Sequence, residues 1–309
     1  MNKVSRGILI VGYGQDGKIL HRQALLKKTK VHIILKKKIK ILSKNSHVTK
    51  LDIKNKREVF KYLKKQNKLD IYFFATHNIS SSQKPNKKIF SENINSNIVG
   101  LTNFLDFMSK FKKKKFKLFY ACSSHIFENS KNFPQDENSA PSFFSEYAFV
   151  KYMGLKICEH YREKNQVFCN VGILYTHVSK YTKKNFLIKE LAHKVLKAVR
   201  NNKNDILVKN LNSKLDIMLA KDATNAMIKL MQLKKSNTFI ISTGKLRSIK
   251  EIFQSIVKFY KIKKKIKLRS IEKSPKKNFS LAGNNKRLLK HIRWKPTYNL
   301  SYIVKDVLG

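Results

Sequence analysis

The chain has 309 residues, 42% of them hydrophobic, and a formal net charge of +48. That length suits one large α/β domain with an added lobe. No apolar run approaches the roughly 18 to 20 residues of a membrane span. The charge invites a polyanion reading. However, the lysines are spread along the chain, with runs such as Lys112–Lys115 and Lys263–Lys265. There is no basic-aromatic module of the RNA-binding kind, and Lys, Asn and Ile are abundant together, as in AT-rich genomes. Nucleic acid is therefore not the expected partner. Cys122, Cys158 and Cys169 have no metal-ligand spacing and read as free buried thiols, so no metal is expected. The short apolar run at the start reads as a first strand rather than a signal peptide, which predicts a cytoplasmic protein.

Gly7 to Val11 is a continuous apolar strand, followed at once by Gly12-Tyr13-Gly14-Gln15-Asp16-Gly17 and a helix-like stretch. Gly-x-Gly-x-x-Gly between a first strand and a helix is a dinucleotide-binding pattern. Gly12 allows the tight turn, Gly14 lets the backbone approach a pyrophosphate, and Gly17 lets the helix pack on the sheet. Val31 to Leu35 is a second strand. Lys36-Lys37-Lys38 stands at its end, where an acidic residue would meet the ribose hydroxyls of NAD. A cation there suits a 2′-phosphate, so the expected cofactor is NADP, with NAD as the alternative.

His47 to Leu51 forms a third strand. The Asp52 after it is placed either to meet an adenine amino group or to cap the next helix, Lys54 to Gln66. Asp70 to Ala75 is a buried fourth strand whose end, with Thr76 and His77, lies near the cofactor. Ile94 to Phe111 reads as one long helix with Ile98, Leu101, Leu105 and Met108 on one face. Phe116 to Cys122 is a fifth strand, with Ser123-Ser124-His125 at its C-terminal end, where open parallel sheets carry their chemistry.

The helix from about Phe144 to Lys164 carries Tyr147 and Lys151. Four residues apart, they share one helix face. A lysine ammonium beside a phenol favours the phenolate, and a preceding hydroxyl such as Ser123 can hold the oxygen to be deprotonated. Val167 to Leu174 is a sixth strand, and Tyr175 to Asn185 reads as a substrate loop. Further helices are expected at Phe186–Arg200, Asp222–Leu233, Ser248–Tyr260, Lys286–Ile292 and Ser301–Leu308, and strands at Asp205–Val208 and Thr238–Ser242. The alternation predicts an α/β, Rossmann-type doubly wound parallel sheet with a small C-terminal substrate-binding lobe. The cofactor domain is expected over 1–174 with 211–245 returning to it, and the substrate lobe over 175–210 and 246–309.

The glycine turn, the strand ending in Ser123-Ser124, Tyr147-x-x-x-Lys151 and Trp294-Lys295-Pro296 together resemble the NAD-dependent epimerase/dehydratase family of extended short-chain dehydrogenase/reductases. Within it they are most similar to the GDP-mannose 4,6-dehydratases. Gly14-Gln15-Asp16-Gly17, Pro134-Gln135-Asp136-Glu137-Asn138, Tyr161-Arg162-Glu163, Gly172-Ile173-Leu174-Tyr175 with His177 and Ser179, and Ser242-Thr243-Gly244 extend that similarity along the chain. The resemblance implies a nucleotide-sugar substrate, preferably a GDP-sugar, and a homodimer or homotetramer. It implies Ser123, Tyr147, Lys151 and His125 as the catalytic set. Gly12, Gly14, Gln15, Asp16, Gly17, Lys36, Asp52, Ala75, Tyr147 and Lys151 would hold the cofactor. The implied reaction is oxidation at C4, loss of water across C5 and C6, and hydride return.

Several positions depart from the family pattern. His125 stands where these dehydratases carry a Glu base, Thr176 where they have Asn, Val178 where they have Glu, and Leu215 where an Arg precedes Asp216. The glycine turn is one residue shorter than usual, and the Arg-rich loop after the sixth strand is reduced to Lys180-Tyr181-Thr182-Lys183-Lys184. A nucleotide-sugar 4-reductase or epimerase is therefore the alternative. A non-enzymatic cofactor- or polyanion-binding protein is a third reading, which the joint presence of Ser123, Tyr147 and Lys151 disfavours.

Overall fold

The computed structural model describes residues 6–36, 43–76, 87–128, 130–209, 211–271 and 280–309. His77, Lys37 and Lys38 lie outside them. The first half of the chain alternates strands and helices: β1 (Gly7–Val11), α1 (Gln15–Leu26), β2 (Val31–Leu35), β3 (Ser46–Lys50), α2 (Lys56–Lys64) and β4 (Leu69–Phe73). Then come α3 (Lys87–Ile94), α4 (Leu101–Lys110), β5 (Lys117–Ser123), α5 (Glu146–Asn165) and β6 (Cys169–Leu174). The second half contributes β7 (Thr176–Val178), α6 (Leu187–Arg200), β8 (Asp205–Val208), β9 (Lys214–Leu219), α7 (Ala220–Leu230), β10 (Thr238–Ile241) and β11 (Leu246–Ser248). It ends in α8 (Ile249–Phe259), β12 (Lys267–Ser270), β13 (Ser280–Leu281), α9 (Lys286–His291) and α10 (Leu300–Leu308).

Seven strands form one sheet in the order β10-β6-β5-β4-β1-β2-β3, with every neighbouring pair parallel. Helices cover both faces of such a sheet, so its strands read as apolar runs rather than alternating ones. All six residues of β6 are buried, and so are Ile71, Tyr72 and Phe73 of β4. The strand order reverses between β1 and β4, which opens a crevice at their C-terminal ends.

The stretch expected as one helix over 94–111 is instead broken. A π-helical turn, Asn95–Gly100, joins α3 to α4. Such turns are rare and concentrate at functional sites. The segment expected as a loop after β6 also differs, because Thr176–Val178 forms β7 and pairs with β9, a strand the sequence pattern does not signal. β9 lies in a second, four-stranded sheet with β11, β13 and β7, and β12 pairs with β8. Along β9, Ile217 and Leu219 pack into a second apolar core with Val178, Leu191, Ile252 and Val304, whereas Met218 packs into the main one. The period-two alternation of a strand turns successive side chains to opposite faces, so β9 is shared by both layers. Leu288, Ile292 and Trp294 also belong to the main core.

α5 is fixed at both ends. Ser145 accepts a hydrogen bond from Ala148 N at the start, and Gln166 closes the helix in the left-handed region. Gly154 lets it lie against β5, because a Cβ there would stand 2.2 Å from the Tyr120 hydroxyl. Lys151 shares the buried side of this helix with Ala148, Leu155 and Cys158. Among the described residues no helix is long and apolar enough to cross a membrane.

Candidate active site

Strand β5 delivers Ser123 to the edge of the crevice, and the chain then turns into a 3-10 helix, Ser124–Phe127. Ser123 is buried, and its Oγ accepts from His125 N at 3.3 Å. The same side chain hydrogen-bonds Tyr147. Tyr147 and His125 meet edge-on, with ring centroids 5.9 Å apart. The three groups named from the sequence around Tyr147 are thus brought together at one end of the sheet.

Lys151 is 2% exposed and its Nζ donates to Asn97 Oδ1 at 2.9 Å and to Ala121 O at 2.8 Å. Burial lowers this ammonium to about 8, because the charged form loses its water. The Nζ stands 5.9 Å from the centroid of the Tyr147 ring. The spacing predicts that Lys151 holds the Tyr147 phenol down, and here the structure differs. Burial is the largest influence and pushes the phenol above its ordinary value, while the Ser123 hydrogen bond works in the opposite direction. The ammonium is instead engaged by Asn97 and a backbone carbonyl.

Asn97 is the residue that sequence reasoning missed. It lies in the π-helical turn and is fully buried. Its Oδ1 accepts from Lys151 and from Tyr120 OH (3.1 Å), and its Nδ2 donates to Asn93 O (3.1 Å), Ser96 Oγ (3.2 Å) and Thr76 Oγ1 (3.3 Å). An Asn inside a helical pattern at an otherwise apolar face was the available signal. His125 also has a partner the sequence did not announce, since its Nδ1 hydrogen-bonds Glu128. Cys122 lies under the site with Sγ 3.5 Å from Lys151 O, and burial pushes its thiol up to about 12. All three cysteines are free and buried.

The glycine turn forms the other wall. Gly12 has φ +97°, and a Cβ there would stand 2.8 Å from Ala75 N. A Cβ on Gly17 would stand 2.5 Å from Gly12 O. These two glycines are required by the protein itself, whereas a Cβ on Gly14 would meet nothing within 4 Å. Gly14 therefore leaves an open cradle at the N-terminus of α1, whose first N–H groups lack intrahelical acceptors. That cradle fits a pyrophosphate. Lys36 is exposed at the end of β2. Asp52 does not cap α2, because Asn55 does so by accepting from Arg57 N and Glu58 N. Asp52 instead accepts from Lys54 N at 3.1 Å.

Gln15 and Asp16 face the segment after β6. Gln15 donates to His177 O (3.0 Å) and accepts from Ser179 Oγ (2.9 Å) and Thr182 Oγ1 (2.7 Å). Asp16 pairs with His177, Oδ2 to Nε2 3.1 Å. Burial alone would lower the imidazole, but the Asp16 carboxylate outweighs it and raises His177 to about 9. Asp16 is held below its ordinary value because His177 outweighs its own burial. The family-like segment Gln135 to Glu137 is a structural tie. Gln135 Oε1 accepts from Tyr175 OH (3.0 Å) and Ala282 N (3.1 Å), and Glu137 accepts from Ile240 N (2.9 Å). Trp294 donates to Asp222 O at 3.0 Å.

Residues 9–307 match the family model described as GDP-mannose 4,6 dehydratase. Among curated proteins, a GDP-mannose 4,6 dehydratase of Drosophila melanogaster is 27% identical over 146 residues, 47% of this chain and 37% of its own. That of Homo sapiens is 28% identical over 138 residues, 45% of this chain and 37% of its own. The matched stretch thus spans well under half the length of these relatives. Among solved structures, a dTDP-glucose 4,6-dehydratase from Bacillus anthracis in complex with NAD superposes with a TM-score of 0.80 at 16% identity, covering 98% of this chain and 95% of that one. A UDP-glucose 4-epimerase from Thermotoga maritima with UDP-glucose gives 0.79 at 16% identity, covering 97% of each chain. These structural likenesses establish the shared fold.

Proposed function

The chain belongs to the GDP-mannose 4,6 dehydratase family, and from that premise we propose that it is an NADP-dependent nucleotide-sugar 4,6-dehydratase acting on a GDP-hexose. The observation that carries the reading is the meeting of Ser123, Tyr147 and Lys151 at the end of β5, next to the open cradle at Gly14. A nicotinamide dinucleotide, when bound, supplies hydride acceptance from sugar C4 and hydride return at C6.

The backbone around Gly12, Gly14 and Gly17 would hold the pyrophosphate at the start of α1, with Lys36 placed for a 2′-phosphate and Ala75 beside the turn. Lys36 favours NADP over NAD. Tyr147 takes the proton of the 4-hydroxyl, and Ser123 donates a hydrogen bond to the same oxygen. Lys151, held by Asn97, presents its ammonium to the ribose side of the site. His125 stands beside Tyr147 and is the candidate base for the C5 proton. The main core carries the cofactor lobe, and the second core, built on α6, α8 and α10, carries the substrate lobe. Val99 on the π-helical turn and Phe149 on α5 are exposed apolar side chains, and a homodimer or homotetramer is part of the same reading.

The test is incubation with GDP-mannose and catalytic NADP⁺. The expected result is a 4-keto-6-deoxy product without net dinucleotide consumption. A 4-reductase or epimerase is the second reading, raised by the imidazole of His125 at the position where the resemblance implies a carboxylate base. Stoichiometric NADPH consumption on a 4-keto sugar would replace the first reading by a reductase, and interconversion of C4 epimers with no 6-deoxy product and no net dinucleotide consumption would replace it by an epimerase.

A further inference from the structure

The 3-10 turn after β5 eclipses side chains three residues apart. His125 and Glu128 therefore fall on one side of it, and His125 Nδ1 hydrogen-bonds Glu128 Oε1. Glu128 is held from a second direction, accepting from Ser145 Oγ at 3.3 Å. Ser145 is also the cap of α5, accepting from Ala148 N at 3.2 Å. The carboxylate is thus tied to the start of the helix that carries Tyr147. Burial would raise the Glu128 carboxyl, but the hydrogen bonds from His125 and Ser145 outweigh it and hold it below its ordinary value. Glu128 is accordingly charged at neutral pH.

We propose that His125 and Glu128 form a general-base dyad, with His125 removing the sugar C5 proton and Glu128 acting as the positioning residue behind it. The inference rests on the dehydratase reading above. A carboxylate at Nδ1 fixes the proton on that nitrogen and leaves the Nε2 lone pair as the acceptor. Among the described residues Nε2 makes no hydrogen bond. Tyr147 is the titratable group that faces the pair from α5.

In the step itself, the Nε2 lone pair takes H⁺ from C5 of the 4-keto sugar. The C5–H electron pair becomes the C5–C6 double bond, and the C6–O bond breaks. The imidazolium proton goes to the departing oxygen, so one water leaves and His125 is neutral again. No oxidant is needed, because the 4-ketone is already in place.

The test uses the full chain with GDP-mannose and catalytic NADP⁺. Hydride transfer is read from dinucleotide absorbance, and exchange of solvent deuterium into C5 is read by mass spectrometry. His125→Ala should slow C5 exchange roughly 100- to 10,000-fold. Glu128→Gln should slow C5 exchange about tenfold or more beyond any loss in hydride transfer, because the imidazole loses the carboxylate that fixes its tautomer and orientation. In a His125→Ala background Glu128→Gln should add nothing. Substrate-free nitrogen-15 NMR of the His125 ring should show the Nδ1–H tautomer in the wild-type chain and a mixture of tautomers in Glu128→Gln. Equal slowing of both steps, an unchanged ring tautomer, or an additive double variant would overturn the dyad alone. Absence of hydride transfer from the wild-type chain with any nucleotide sugar would overturn the dehydratase reading, and the dyad's catalytic role with it.

Discussion

Lys151 Nζ donates to Asn97 Oδ1 across 2.9 Å, joining the helix of the proposed catalytic pair to the π-helical turn 54 positions earlier in the chain. The amide oxygen also takes the Tyr120 hydroxyl, and neither donor has access to water. Asn97→Ala should leave both without this acceptor. The expected cost is about 2 to 4 kcal/mol in urea unfolding, with loss of turnover. Stability within about 0.5 kcal/mol of wild type would show that the network does not hold Lys151.

Burial of the Lys151 ammonium has a signed consequence for stability. Its folded value of about 8 lies below the ordinary 10.5, so the folded state resists the proton. The penalty is complete below pH 8 and is relieved as the pH rises to 10.5. Lys151→Met should remove this rise from the pH profile of unfolding. It should also slow hydride transfer roughly 100- to 10,000-fold. A variant that keeps the rise would assign it to another group.

The Asp16–His177 pair titrates in the opposite sense. His177 is raised from 6.5 to about 9, so its contribution is fully present below pH 6.5 and is lost as the pH rises through 9. Asp16 is lowered below 3.8, so its share is present above that value and is lost only in stronger acid. The His177 contribution should be on the order of 2 to 4 kcal/mol near pH 6 and almost none above pH 9. Urea midpoints of wild type and His177→Gln at the two pH values check this, and a constant difference between them would refute it.

Gly14 and Gly17 should respond differently to the same added methyl. At Gly17 a Cβ would press on Gly12 O at 2.5 Å, and Gly17→Ala is expected to lose about 1 to 3 kcal/mol of stability. Gly14 has an ordinary extended backbone and open space, so Gly14→Ala should unfold like wild type. Its dinucleotide affinity, measured by calorimetry, should fall about tenfold or more, because the methyl occupies the cradle. Unchanged affinity would place the pyrophosphate elsewhere.

Much of this protein was legible without coordinates. β1, β2, β8, α1 and the helix carrying Tyr147 and Lys151 follow from apolar periodicity, and Gly12, Gly14 and Gly17 from spacing alone, because those signals are local. Strand β9 was not legible. Its residues Lys214–Leu219 are shared between two cores, so no single face of the strand shows in the sequence. Thr176–Val178 was hidden for a similar reason, since three residues become a strand only when β9 lies beside them.

The site divides along the same line. By itself the sequence determined which groups are available: a glycine-rich turn between a first strand and a helix, a hydroxyl at a strand end and a phenol one helical turn from an amine. Tertiary structure alone decided their charge and their partners. Burial raises Tyr147 and lowers Lys151, and desolvation depends on what the rest of the chain packs around a group. Asn97 reaches Lys151, and Asp16 reaches His177, across separations of 54 and 161 residues. Hydrogen bonds of that kind are set by the meeting of elements, which no local pattern records.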